Sequence, residues 1–211
     1  MAKKKKEEKI SPAKQKIIDN YRQQRENYLE QGYEEKQEII SVVKANVMAF
    51  VTAGPFVVLG IIIWILTQRE GRGIISIQNY FIFLVLFLVC IFVHELLHGV
   101  GWFSWTKGRW KSIYLGVMWE YMTPYCHCKE PLKPKEYLLG VLTPFLILGI
   151  GGYIAAWVTG SYLLLLLSLF NIFAAGGDTT IACMELKYLN RDDCYILDHP
   201  TDCGFVAFIK R

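Results

Sequence analysis

Four apolar runs, at about residues 45 to 67, 79 to 103, 138 to 158 and 161 to 183, set the terms for this chain. Each has the roughly 20 residues a helix needs to cross the hydrocarbon of a bilayer. With 53% hydrophobic residues concentrated in these runs, the composition argues against a soluble domain. The sequence predicts an all-α membrane protein with about four transmembrane helices, preceded by an amphipathic helix and interrupted by a short strand-like loop.

The flanking charge predicts how such a chain sits in the bilayer. Lys and Arg gather before the first run, between the second and third (Lys107, Arg109, Lys111, Lys129, Lys133, Lys135) and after the fourth. The other connections carry Arg69 and Arg72 or nothing. By the positive-inside rule, both termini and the long loop face the cytoplasm of a multi-pass plasma-membrane protein. MAKKKKEEKI opens like a secretory signal, but charged residues continue to about Lys44, so the first run is expected to stay as a span. Glu7 and Glu8 interrupt the lysines, which favours contact with anionic lipid over nucleic-acid binding. The six cysteines fall within spans or on the cytoplasmic side, where thiols stay reduced, and no structural disulfide is expected.

Three segments follow from this layout. Residues 1–44 read as a cytoplasmic, juxtamembrane amphipathic segment broken at Gly32, residues 45–185 as a four-helix transmembrane domain, and residues 186–211 as a cytoplasmic tail. Gly54 and Pro55 predict a kink in the first span. Trp102, Trp105 and Trp110 suit the headgroup layer at the end of the second. The loop after it, RWKSIYLGVMWEYMTPYCHCKEPLKPKEY, is aromatic and β-branched enough for one or two strands, stopped by Pro124. Only Thr159 and Gly160 separate the third and fourth runs, predicting a tight helical hairpin, and Gly152 and Ala156 permit close helix contact.

Within the second run the chain reads LVCIFVHELLHGVGWFSW, placing His94, Glu95 and His98 where lipid-facing helix carries no polar group. Ionisable residues in a span are costly and functional by default. On a helix the residues i and i+4 share a face, so both imidazoles can address one ion, with Glu95 beside them. Zinc accepts neutral imidazole and keeps a position for water in catalytic sites. It activates that water and polarises a carbonyl while a carboxylate moves the proton. The pattern therefore predicts a zinc site able to hydrolyse peptide bonds. A non-catalytic metal-binding membrane protein is the alternative, although a structural site has no need of a general base.

Two histidines leave the site short of a ligand. Asp178 is the acidic residue inside the fourth run, and with both runs directed the same way it reaches a similar depth to His94. Counted from residues 161 and 79, the two lie 17 and 15 residues into their runs, a difference of a few Å at about 1.5 Å per residue. Ala174, Ala175, Gly176 and Gly177 are small enough to let this helix approach the histidine helix. The competing donors are Cys126, His127 and Cys128 in the loop, as an accessory or inhibitory ligand set. Asn171 is a candidate for holding a substrate carbonyl or for bridging helices. Cys90, one turn before His94, reads as a small core residue.

Taken together, HELLHG near the end of an apolar helix, the Pro-Tyr-Cys-His-Cys segment, Thr143-Pro144 opening the next span, Asn171 and Asp178 seven apart in the last, and LEQGYEEKQEI followed by Asn46 resemble the putative zincin peptidase family of small bacterial multi-pass membrane proteins. The similarity covers about residues 29 to 185. That family in turn resembles the site-2 protease type of intramembrane metalloprotease. The resemblance implies His94, His98 and Asp178 as zinc ligands, Glu95 as the base, and a membrane-associated protein or peptide as substrate. The chain departs from the site-2 pattern at NIFAAGGD, which lacks the prolines of N-x-x-P…L-D-G and places its glycines before the aspartate.

Overall fold

The computed structural model describes residues 12–67, 77–118 and 123–211. The N-terminal lysine run, the QREGRG connection with Arg69 and Arg72, and residues 119–122 of the central loop lie outside the described residues.

The chain begins with helix α1 (Pro12–Glu30) and strand β1 (Tyr33–Ile40), turning at Gly32, whose φ of 81° favours glycine. Helices α2 (Val42–Thr52) and α3 (Gly54–Thr67) follow, with the break at Ala53 just ahead of Pro55, and then the long helix α4 (Ile77–Phe103). A hairpin of β2 (Ile113–Met118) and β3 (Thr123–Cys128) leads to α5 (Pro134–Pro144). From α5 the chain runs on through a π-helical stretch, Phe145–Gly151, into α6 (Gly152–Thr159). Gly160, at φ 66°, turns it into α7 (Tyr162–Ala174), where Gly152 of α6 packs on Ser168 of α7. Helix α8 (Gly176–Glu185) and strands β4 (Cys194–Asp198) and β5 (Cys203–Lys210) complete the described chain.

The structure is mixed α and β, which corrects the expected all-α class. Two antiparallel sheets are present among the described residues, one of order β1-β5-β4 and the hairpin β2-β3. The four-span count is also corrected. Among the described residues three helices are long and apolar enough to cross a membrane, Val42–Thr67, Tyr80–Phe103 and Pro134–Thr159, while the fourth run is two helices, α7 and α8, bent by 44°. The bend falls at Ala175, just ahead of the glycine pair Gly176–Gly177, which weakens helix preference.

The three-stranded sheet joins segments on either side of the helical region, with Tyr33 opposite Lys210 and Ile40 opposite Cys203. One face, Leu197, Val206 and Phe208, is covered by α1 through Tyr21 and Tyr28, whose ring stacks on Phe208 at 4.8 Å. The other face, Ile196, Phe205, Ala207 and Ile209, joins a core with Trp102 of α4 and Tyr137 of α5. A strand buried on both faces reads as a continuous apolar run such as FVAFI, with no alternation to mark it. β1 reads differently again, because YEEKQEII is rich in residues that favour helix in isolation. Arg25 pairs with Glu35 at 2.6 Å, and Tyr188 and Lys187 both reach Glu38 at 2.6 Å, tying β1 to α1 on one side and to the end of α8 on the other.

The hairpin sits against α4 at the same end. Pro124 lies inside β3, where the sequence had placed a stop. Lys129 N–H donates to Ser112 O, toward β2, and Cys128 N–H donates to Asp198 on the opposite side at 2.7 Å. Alternation then places residues 124, 126 and 128 with their backbone nitrogens on the outer edge of β3, so Pro124 costs the ladder no hydrogen bond. The carboxylate of Glu130 holds the turn below, accepting from the N–H groups of Lys107 and Gly108 and from the Ser112 hydroxyl.

Candidate metal centre

The i, i+4 spacing places His94 and His98 on one face of α4, with ring centroids 5.0 Å apart. His98 is held twice over. Its Nδ1 lies 2.9 Å from Gly140 O of α5, and its ring stacks at 5.5 Å and 18° on Trp102, one turn further along. The Trp102 indole N–H in turn donates to Tyr137 O at 2.9 Å. With Nδ1–H donated to the carbonyl, Nε2 keeps its lone pair for a ligand.

This arrangement depends on close approach of α4 and α5. A methyl group at Gly140 would fall on the Trp102 indole, and one at Gly101 on the Thr143 hydroxyl and the Gly140 backbone. Gly140→Ala is therefore expected to lower stability by about 1–3 kcal/mol through overpacking, measured as a drop in thermal midpoint in detergent. Gly177→Ala, whose added methyl meets nothing within 4 Å, is the control expected to be tolerated.

Asp178 reaches the histidines because the fourth run is broken. It lies in the first turn of α8, where the positive end of the helix favours a carboxylate. Its Oδ2 is 3.0 Å from His94 Nε2 and its Oδ1 is 3.4 Å from His98 Nε2. The small residues before it serve a different neighbour from the expected one. Gly176 packs directly on Ala49 of α2, and the Thr179 hydroxyl donates to Thr52 Oγ1 at 2.8 Å, so α8 is pinned to α2 while Asp178 projects to α4.

His94, His98 and Asp178 each offer a ligand atom within 4.8 Å of the others and can hold a metal ion. Two imidazoles and one carboxylate suit zinc and leave room for water. Glu95 lies within electrostatic reach of all three, against the Cys126 backbone N–H on the outer edge of β3. It shares a cavity of about 220 Å³ with His98 and Asp178.

Residues 87–192 match a family described as putative zincin peptidase. The chain belongs to the putative zincin peptidase family. The matched residues run from α4 past α8, so they contain the whole His94, His98 and Asp178 cluster. Membership supports a metallopeptidase and implies a metal, with zinc favoured by the name and by the donors present. No curated protein and no solved structure matches this zincin family member.

The other sequence candidates take different places in this structure. Cys126 and His127 line the cavity, but among the described residues neither joins the three-residue cluster. His127 Nδ1 sits 3.7 Å from Asp198 Oδ2, and burial pushes its pKa down. Cys128 is fully buried, with Sγ 3.4 Å from Glu130 O. Burial pushes both thiols up, which disfavours the thiolate that zinc binding needs. Asn171 is buried in α7, where its Nδ2 donates to Leu167 O at 2.7 Å, and it is not among the cavity residues. Sequence reasoning missed Gly140, Tyr137 and Asp198. The small residue at 140 between long apolar neighbours was the available sign of a close helix crossing.

Proposed function

We propose that the protein is a membrane-embedded zinc metallopeptidase in which His94, His98 and Asp178 hold the ion and Glu95 is the general base. The observation that carries this reading is the meeting of the three donors from two separate helices, with Glu95 opening onto the same cavity. Zinc bound there supplies an activated water and a polarised carbonyl. With the ion in place, Glu95 would be positioned to take a proton at its carboxylate and return it to the leaving amine. Gly140 O fixes the His98 tautomer, and the Trp102 ring fixes its plane.

The apolar surfaces of α2–α3, α4 and α5–α6 lie in the bilayer in this reading, and the bent pair α7–α8 packs beside them. Residues 1–44 and 186–211 then face the cytoplasm, as does the β2-β3 hairpin.

Zinc content of the purified protein tests the proposal. About one ion per chain is expected in the wild type, retained in His127→Ala and lost in His94→Ala. No zinc after reconstitution of the wild type, or loss in His127→Ala with retention in His94→Ala, overturns the ligand assignment.

A further inference from the structure

The cavity is confined to one end of the helical region. Its walls come from α4 (Glu95, His98, Trp102), α5 (Tyr137, Val141), α8, the outer edge of β3 and the turn between β4 and β5. Lys14 of α1 stands with exposed Thr201 and Asp202 at its polar rim. None of its lining residues belongs to α2, α3, α6 or α7, whose outer surfaces carry the exposed apolar side chains Val58, Leu59, Val158 and Phe170. Leu96, next to Glu95 on α4, points outward at 43% exposure and is likewise absent from the lining.

Size and chemistry limit the occupant. At about 220 Å³ the cavity takes a side chain with a short stretch of extended backbone, whereas an intact helix with its side chains is about 10–12 Å across. The interior surface is mainly apolar, formed by Trp102, Tyr137, Val141 and Ile181, beneath a rim of charged and hydroxyl groups. A carboxylate seated against Val141 and Ile181 would exchange its hydration for apolar neighbours, with the Glu95 carboxylate in the same cavity.

We propose that the substrate is an extended, water-exposed peptide segment that enters between the outer edge of β3 and the β4–β5 turn and seats an apolar side chain against Val141 and Ile181. A flexible terminus or juxtamembrane stretch of a protein meets this description, and a residue in the lipid-buried middle of a helix does not. This inference rests on the metallopeptidase reading, but the route of entry is measurable without turnover.

The experiment uses the zinc-loaded full chain in lipid nanodiscs. Its probes are two water-soluble quenched peptides that differ by Leu or Asp at the centre, a polyleucine transmembrane helix carrying the same quenched pair, and a sulfonated maleimide applied at pH 9. Cleavage of the Leu peptide is expected to exceed that of the Asp peptide by at least about tenfold, with the transmembrane helix left intact. The maleimide is expected to reach Cys203, which lines the cavity at the β4–β5 turn, as mapped by mass spectrometry. Thr201→Trp at the rim should slow alkylation and cleavage together by about tenfold, and Leu96→Trp should change neither. Preferential cleavage of the transmembrane helix, or alkylation slowed by Leu96→Trp and untouched by Thr201→Trp, overturns the inference. If the wild type cleaves no probe while Thr201→Trp still controls alkylation, the peptidase reading fails and the aqueous route is supported.

Discussion

Glu95→Gln is expected to retain about one zinc per chain and to lose about 10²–10⁴-fold in kcat. The amide keeps the shape of the side chain and can still contact the edge of β3, but it has no basic oxygen to take a proton from water. Glu95 is not a member of the three-residue metal cluster, so the ion should stay. The measurement pairs metal analysis with peptide hydrolysis on the same preparation. Loss of zinc together with activity would make Glu95 a ligand, and unchanged kcat would remove it from the chemistry.

Asp178→Ala is expected to have the largest effect on metal affinity. Removing an outer partner of a zinc ligand costs about 10–100-fold, and removing the carboxylate itself should cost more than that, measured by competition with a chromogenic chelator. Asp178 contacts both imidazoles, at 3.0 and 3.4 Å, so its loss also leaves His94 and His98 without their shared acidic neighbour. His127→Ala provides the comparison, since that ring is turned to Asp198. An unchanged zinc affinity in Asp178→Ala would require a different third donor.

The site was more legible in the sequence than the fold around it. His94, Glu95 and His98 lie within one stretch of helix, so their mutual geometry follows from helical spacing alone. Asp178 stood out because a lone carboxylate in an apolar run needs a partner. The Gly140 carbonyl that orients His98 could not be read, because a backbone acceptor has no sequence identity of its own. Strands β1 and β5 were hidden for two different reasons. β1 carries helix-favouring Glu, Lys and Gln, and β5 lacks alternation because both of its faces are covered, so neither declares itself until the other is in place. The fourth run read as one span because hydropathy sums over a bend. Its break after Ala174 is nevertheless what presents Asp178 in the first turn of a helix.

The pairing of β1 with β5 also orders events in time. β1 precedes every apolar helix in the chain and β5 follows them all, so a ribosome delivers the first strand long before its mate. Contacts between segments so far apart carry a large loop-closure entropy and form late. The β4–β5 turn that walls the cavity is made last as well, so a nascent chain whose histidine helix has already been synthesised still has an unfinished cleft. Maturation of the site is thereby coupled to completion of synthesis through β5, a built-in delay between making the metal ligands and assembling the chamber around them.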